Sequence, residues 1–174
     1  MRKREGYKRI NCLTIAGFDP SGGAGIVADI KVFQRLGAYG LSVITALTIQ
    51  NTQAVFGIQT INSDVVFKQL KKLSDDIDID AVKIGMLYSK DVVKAVVDFL
   101  TQQDKVIVVL DTPIVSSSGM PLIDKEALRL MKRRLIPLST VITPNIPEAE
   151  VLTGVTIRGI KDIQQSARLL HQLG

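Results

Sequence analysis

Three features of the sequence predict an α/β fold, with a mainly parallel sheet covered by helices on both faces. Apolar, β-branched runs recur at residues 10–16, 41–49, 81–86, 106–110 and 141–143. Most of these runs are continuously hydrophobic rather than alternating, as a strand buried on both faces requires. Segments with helical apolar spacing separate them, and such alternation implies right-handed crossovers, with ligands collecting at the C-terminal ends of the strands.

The elements follow in order. Ile26, Ile30, Phe33 and Leu36 form a helical stripe that Gly37 ends. Residues 54–61 have strand composition and follow the second strand after a short polar break, which predicts a hairpin or flap at the sheet edge. A second helix begins near Ser63 and uses Val66, Leu70 and Leu73; a third uses Val92, Val93, Val96, Val97 and Leu100, with Ser89 as its N-cap. Leu128, Met131 and Leu135 mark a fourth helix stopped before Pro137, and Ile163, Ala167 and Leu170 a fifth that runs to Gly174. After this helix the alternating pattern calls for another strand, so the fold is expected to be incomplete within these residues. The organisation is a basic tail over residues 1–9 followed by one α/β domain over 10–174.

Composition narrows the function. With 46% hydrophobic residues and 22% charged ones in 174 residues, the chain has none of the polar bias of disorder. The net charge of +5 is local: Arg2, Lys3, Arg4, Lys8 and Arg9 against Glu5 give +4 in the first nine residues and leave +1 for the body. A nucleic-acid surface is therefore not expected. Residues 10–16 are too short for a signal peptide, contain Asn11 and Thr14, and lead into Gly17-Phe18-Asp19-Pro20 rather than a small-residue cleavage site. No run of about 18 apolar residues suggests a membrane span. Cys12 stands alone in a strand as a small hydrophobe, and His171 is the single histidine, which leaves little for a histidine-based zinc site or a Ser-His-Asp triad. A cytoplasmic location fits.

The residues that could carry chemistry sit at strand ends. Residues 16–25, AGFDPSGGAG, join the first strand to the first helix, and the glycines let backbone N–H groups approach a ligand at a helix N-terminus; the alternative is a flexible connection. Gly23-Ala24-Gly25-Ile26-Val27-Ala28 satisfies G-x-G-x-x-G/A, but residues 18–22 separate it from the strand. The next strand ends in Gln50, with no acidic residue to hold a ribose, which disfavours a dinucleotide site. No G-x-x-x-x-G-K-[ST] occurs. Gln50-Asn51-Thr52 either offers an amide that donates and accepts at once, suited to a heteroaromatic ring with an amino group, or caps a turn. Met86 packs on such a ring or belongs to the core. Asp111 faces a metal or a reacting group, or initiates a turn. Asn145 and Glu148, in Thr143-Pro144-Asn145-Ile146-Pro147-Glu148, either hold hydrated Mg²⁺ beside phosphates or start a helix with Glu in its first turn.

In order and spacing these segments resemble the hydroxymethylpyrimidine/phosphomethylpyrimidine kinases of the ribokinase-like superfamily. The matching stretches are LTIAGFDPSGGAG at 13–25, GAYG at 37–40, VITAL at 43–47, QNT at 50–52, KIGML at 83–87 and TPNIPE at 143–148, and the resemblance spans residues 9–174. It implies ATP-dependent phosphorylation of 4-amino-5-hydroxymethyl-2-methylpyrimidine, then of its monophosphate, for thiamine biosynthesis. It also implies that Gln50 hydrogen-bonds the aminopyrimidine, that Asp29, Gly17 and Ala24 line the same pocket, and that Met86 packs on the ring. Asn145 and Glu148 would organise Mg²⁺ and phosphate, the metal reached through water, with Asp111 nearby. ATP and Mg²⁺ are the implied cofactors, the small pyrimidine the implied partner, and a homodimer the implied state of the full-length enzyme.

Members of this family continue into a strand carrying Lys-Gly-Gly and a Gly-rich G-[ST]-G-C segment that stabilises the transferring phosphate. Neither occurs in the 174 residues, and Cys12 belongs to the first strand, so these residues are expected to hold no catalytic group of their own. Turnover by them alone is expected at or below about a thousandth of a full-length relative, since losing oxyanion-type stabilisation costs roughly 10²- to 10³-fold. An unmatched sheet edge is expected to leave stability marginal. Phe18 stands where many relatives carry a smaller polar residue, and Asp111-Thr112-Pro113 departs from the more usual Asp-Pro-Val. Two other readings are a non-catalytic pyrimidine-binding module and a pyridoxal kinase-like enzyme; the QNT and GGAG sets favour the pyrimidine.

Overall fold

The structure is a computed structural model that describes residues 9–174. Six strands form one sheet, β1 (Asn11–Phe18), β2 (Tyr39–Gln50), β3 (Val55–Thr60), β4 (Ala81–Ile84), β5 (Ile107–Leu110) and β6 (Val141–Ile142), in the order β3-β2-β1-β4-β5-β6. Neighbours are parallel except β3, which returns antiparallel along β2 as the edge hairpin expected at 54–61. Six helices accompany them: α1 (Gly25–Arg35), α2 (Ser63–Asp76), α3 (Lys90–Leu100), α4 (Lys125–Leu130), α5 (Ile146–Thr153) and α6 (Ile160–His171).

Alternation along the strands sorts side chains between the two faces. Leu13, Ile15, Val43, Val82, Ile84, Val108 and Leu110 point to one face and merge with Val66, Leu70, Val96, Phe99 and Ala127 of α2, α3 and α4 in the core. The opposite face carries α1. There Gly40 leaves room for Ile30 and Phe33, and the Thr14 hydroxyl donates to Asp29 at 2.6 Å. Further along, beyond the reach of α1, Ile107 and Val141 stand about half exposed. Cys12 is half-buried, and its thiol is pushed up by burial and by the charge of Asp80.

Capping explains where several helices begin. Ser89 caps α3 as expected, its hydroxyl accepting from the Val92 N–H, and Asn62 and Asp124 do the same for α2 and α4. Three expectations need correction. Regular α4 ends at Leu130 and continues as a π turn over Met131–Leu135 and a 3-10 turn over Ile136–Leu138 that includes Pro137. A proline has no N–H for an α ladder, and a place in the first turn of a new short helix costs it none. α6 stops at His171 rather than Gly174. α5, absent from the five expected helices, begins at the Asn145–Glu148 pair. Among the described residues no helix is long and apolar enough to cross a membrane. The basic tail lies, apart from Arg9, outside the described residues.

Candidate active site

A cavity of about 260 Å³ opens at the C-terminal ends of β1, β2, β4 and β5. Gly17, Ala24, Gln50, Met86 and Asp111 all border it. Gly17 is needed for the fit: a Cβ there would stand 2.5 Å from the Met86 methyl, so the thioether lies directly against the bare backbone. The Thr45 hydroxyl donates to the Met86 carbonyl at 2.5 Å and fixes that end of the wall. Gln50 is the last residue of β2, beyond a register shift. The Thr48 hydroxyl shares its one proton between the Phe18 carbonyl at 2.9 Å and Gln50 Oε1 at 3.0 Å. The amide nitrogen of Gln50 has no partner among the described residues and can donate to a ring nitrogen in the cavity.

The loop between β1 and α1 is held differently from the sequence reading. Its N–H groups are not turned to a ligand; those of Ser21, Gly23 and Ala24 donate to the Asp19 carboxylate. The tightest approach at any described glycine lies next to it. Gly25 has φ +55°, and a Cβ on it would fall 2.2 Å from the Gly17 carbonyl oxygen, so only glycine brings α1 this close to β1.

Charge gathers below and beside the cavity. Asp29 does not border it but stands behind Lys83, which does. The Lys83 ammonium lies 3.1 Å from Asp29 and 3.7 Å from Asp111, and Asp29 also accepts from Thr14. Asn145 and Glu148 stand outside the cavity lining and form a capping box. Asn145 Oδ1 accepts from the Glu148 N–H at 2.9 Å, Glu148 Oε2 from the Asn145 N–H at 3.0 Å, and Glu148 Oε1 from the Asn145 amide at 3.0 Å. The Thr112 hydroxyl adds a 3.3 Å bond to Glu148 Oε2. Burial pushes the Glu148 carboxyl above the usual carboxylate range, and the charge of Asp111 pushes the same way. The donor set fits Mg²⁺ held through water rather than chelated. Both Glu148 oxygens are already engaged, and among the described residues no three His, Cys, Asp or Glu side chains gather as a metal cluster. Asp111 borders the cavity beside Lys83, and its charge acts on Glu148; Asp19, the other lining carboxylate, is taken up by its own loop.

Two residues of the site carried no role in the sequence reading. Lys83 is a charge inside an apolar strand, a rare enough placement to have marked it. Asp19 before Pro-Ser-Gly-Gly has the form of an Asx turn, in which the carboxylate binds the chain just ahead.

A family model described as phosphomethylpyrimidine kinase matches residues 19–174. The hydroxymethylpyrimidine/phosphomethylpyrimidine kinase of Escherichia coli K12 is 52% identical over 145 residues, covering 83% of this chain and 54% of its own length. The crystal structure of a phosphomethylpyrimidine kinase from Clostridium difficile 630 superposes with a TM-score of 0.88 at 44% identity, covering 95% of this chain and 72% of the other. A pyridoxal kinase from Staphylococcus aureus, solved with AMP-PCP and pyridoxal, shares the fold at a TM-score of 0.84 and 30% identity, covering 97% of this chain and 60% of the other. The chain spans between 35% and 64% of the length of the first curated relatives it matches. The fold is the ribokinase-like one that the sequence suggested, and the chain belongs to the phosphomethylpyrimidine kinase family.

Proposed function

We propose that this protein is an ATP-dependent kinase of 4-amino-5-hydroxymethyl-2-methylpyrimidine and its monophosphate in thiamine biosynthesis. In this reading the described residues supply the pyrimidine pocket and part of the magnesium and phosphate side. The observation that carries it is one cavity bordered by Gln50, by Met86 on Gly17, by Ala24, and by Lys83 and Asp111. A flat aminopyrimidine needs apolar faces and an edge partner that both donates and accepts. Met86 offers the face and Gln50 the edge. The hydroxymethyl group then points toward Lys83 and Asp111, where Asp111, with Glu148 near it, would hold a hydrated Mg²⁺ that supplies charge neutralisation for the ATP phosphates.

The chain's own work in this scheme is positioning. Gln50 sets the ring's rotation, Met86 and Gly17 set its height, Lys83 holds Asp111 in place, and the buried Glu148 adds negative charge behind it. The relatives' names support the pyrimidine over vitamin B6, since the pyridoxal kinase is the more distant in sequence. A cytoplasmic location and a homodimer of the whole protein belong to the same proposal. Calorimetric titration with hydroxymethylpyrimidine, its monophosphate and pyridoxal tests it. The pyrimidine should bind at least about tenfold tighter than pyridoxal, a difference of about 1.4 kcal/mol. Equal or tighter binding of pyridoxal would move the assignment to a vitamin B6 kinase.

A further inference from the structure

The loop between β1 and α1 folds around a single side chain. The N–H groups of Ser21, Gly23 and Ala24 donate to the Asp19 carboxylate at 2.8, 3.0 and 2.9 Å, and the Ser21 hydroxyl adds a bond of 2.7 Å. The Gly22 N–H donates to the Asp19 backbone carbonyl at 3.1 Å. Asp19 is 3% exposed. Burial alone would raise its pKa, yet these hydrogen bonds outweigh it and hold the carboxyl below the usual range. A concave set of N–H groups leading into a helix is an arrangement that takes phosphate or sulfate in other proteins. Here the chain fills it with its own anion.

We propose that Asp19 is a specificity-determining and positioning residue: it acts as an internal stand-in for a phosphate, closes the loop to external anions, and thereby leaves Lys83 as the group that meets charge on the ligand. With its donors spent, the loop borders the cavity through Phe18, Asp19, Ala24 and Gly25 and offers an incoming anion no free N–H from Ser21, Gly23 or Ala24. Among the described residues Lys83 is the cationic side chain that borders the cavity, 3.7 Å from Asp111. A phosphate on the ligand, or a hydroxyl awaiting one, is therefore directed there. The identity of the ring rests on the proposed pyrimidine function; the closure of the anion site does not.

The test uses the 174-residue chain as wild type, Asp19→Ala and Asp19→Asn. Thermal unfolding and calorimetric titration with hydroxymethylpyrimidine are run in chloride buffer, then with formate, then with inorganic phosphate. The wild type should melt at one temperature in all three. Asp19→Ala should melt lower and rise with either anion, because the vacated N–H groups take it up. Formate, which returns a carboxylate, should recover at least about tenfold of the lost pyrimidine affinity, whereas phosphate, larger and more charged, should raise the melt without recovering it. A folded Asp19→Ala that gains nothing from either anion, or binds the pyrimidine within about twofold of wild type, overturns the proposal. Should Asp19→Ala not fold, Asp19→Asn decides: weakened affinity with a phosphate-dependent melt supports it, and wild-type affinity overturns it. If the wild type itself binds no pyrimidine, the proposed function fails, while the anion-dependent melting still decides the role of Asp19.

Discussion

Replacing Gly25 by alanine should damage this fold far more than the same change at Gly37, although both glycines have positive φ, +55° and +82°. An L-residue in that region costs about 1 kcal/mol at either position. At Gly37 nothing lies within 4 Å of the added Cβ, so that is the whole cost. At Gly25 the Cβ would stand 2.2 Å from the Gly17 carbonyl oxygen and 3.2 Å from its carbon. Both obstacles are backbone, and no rotamer change removes them. Relief requires α1 to withdraw from β1, which sets the expected loss at roughly 3–5 kcal/mol, in the range reserved for strained or overpacked positions. Urea unfolding measures it as a shift in midpoint at constant m value. Equal losses for Gly25→Ala and Gly37→Ala would refute the close approach of α1 to β1 on which the cavity wall depends.

Three further outcomes are expected. Gly17→Ala meets only the methyl end of Met86, which can swing aside, so stability should fall by less than about 1.5 kcal/mol while pyrimidine affinity drops at least about tenfold by calorimetry; unchanged affinity would place the ring elsewhere. Lys83→Met leaves the largely buried Asp29 with the Thr14 hydroxyl as its remaining partner among the described residues and should cost about 1–3 kcal/mol, of which Asp29→Asn in the same chain restores at least half. Additive losses in that double-mutant cycle would mean the pair is not coupled. Glu148 is held above the usual carboxylate range, chiefly by burial, so ionising it opposes folding. Stability should fall as pH rises from the ordinary glutamate range through the raised value and stay lowered above it. Glu148→Gln should flatten that part of the pH–stability profile; profiles that run parallel for wild type and variant contradict the assigned shift.

The sheet was legible because its strands announce themselves. Leu13, Ile15, Val82 and Ile84 are buried on the core face of the two central strands and show as apolar positions, while Thr14 and Lys83 between them turn to Asp29 on the other face. The β2–β3 hairpin showed through its polar break, and Ser89 through its place before an apolar stripe. What stayed hidden depends on pairings far apart in sequence or on competition between partners. Pro137 suggested a helix stop, but a π turn shifts the helical register so that it opens a 3-10 turn instead. The glycine loop read as open to a ligand because its glycines were weighed without the Asx-turn form of Asp19, whose carboxylate takes the donors. Asn145 and Glu148 read either as an ion site or as a helix start. The capping box shows the second, while the nearness of Asp111 keeps the first in reach through water. Lys83 acquires its partners only when α1 and the tip of β5 meet over β4.

The central claim is that one cavity, edged by Gln50, holds the pyrimidine. Thermal unfolding of the chain with and without hydroxymethylpyrimidine, repeated with Gln50→Ala, tests it most directly. The account predicts a cooperative melt that the ligand raises, with the rise lost in the variant while its own melt stays within a few degrees, since Gln50 lies at a strand end outside the core. A ligand-induced rise of equal size in both proteins would contradict it.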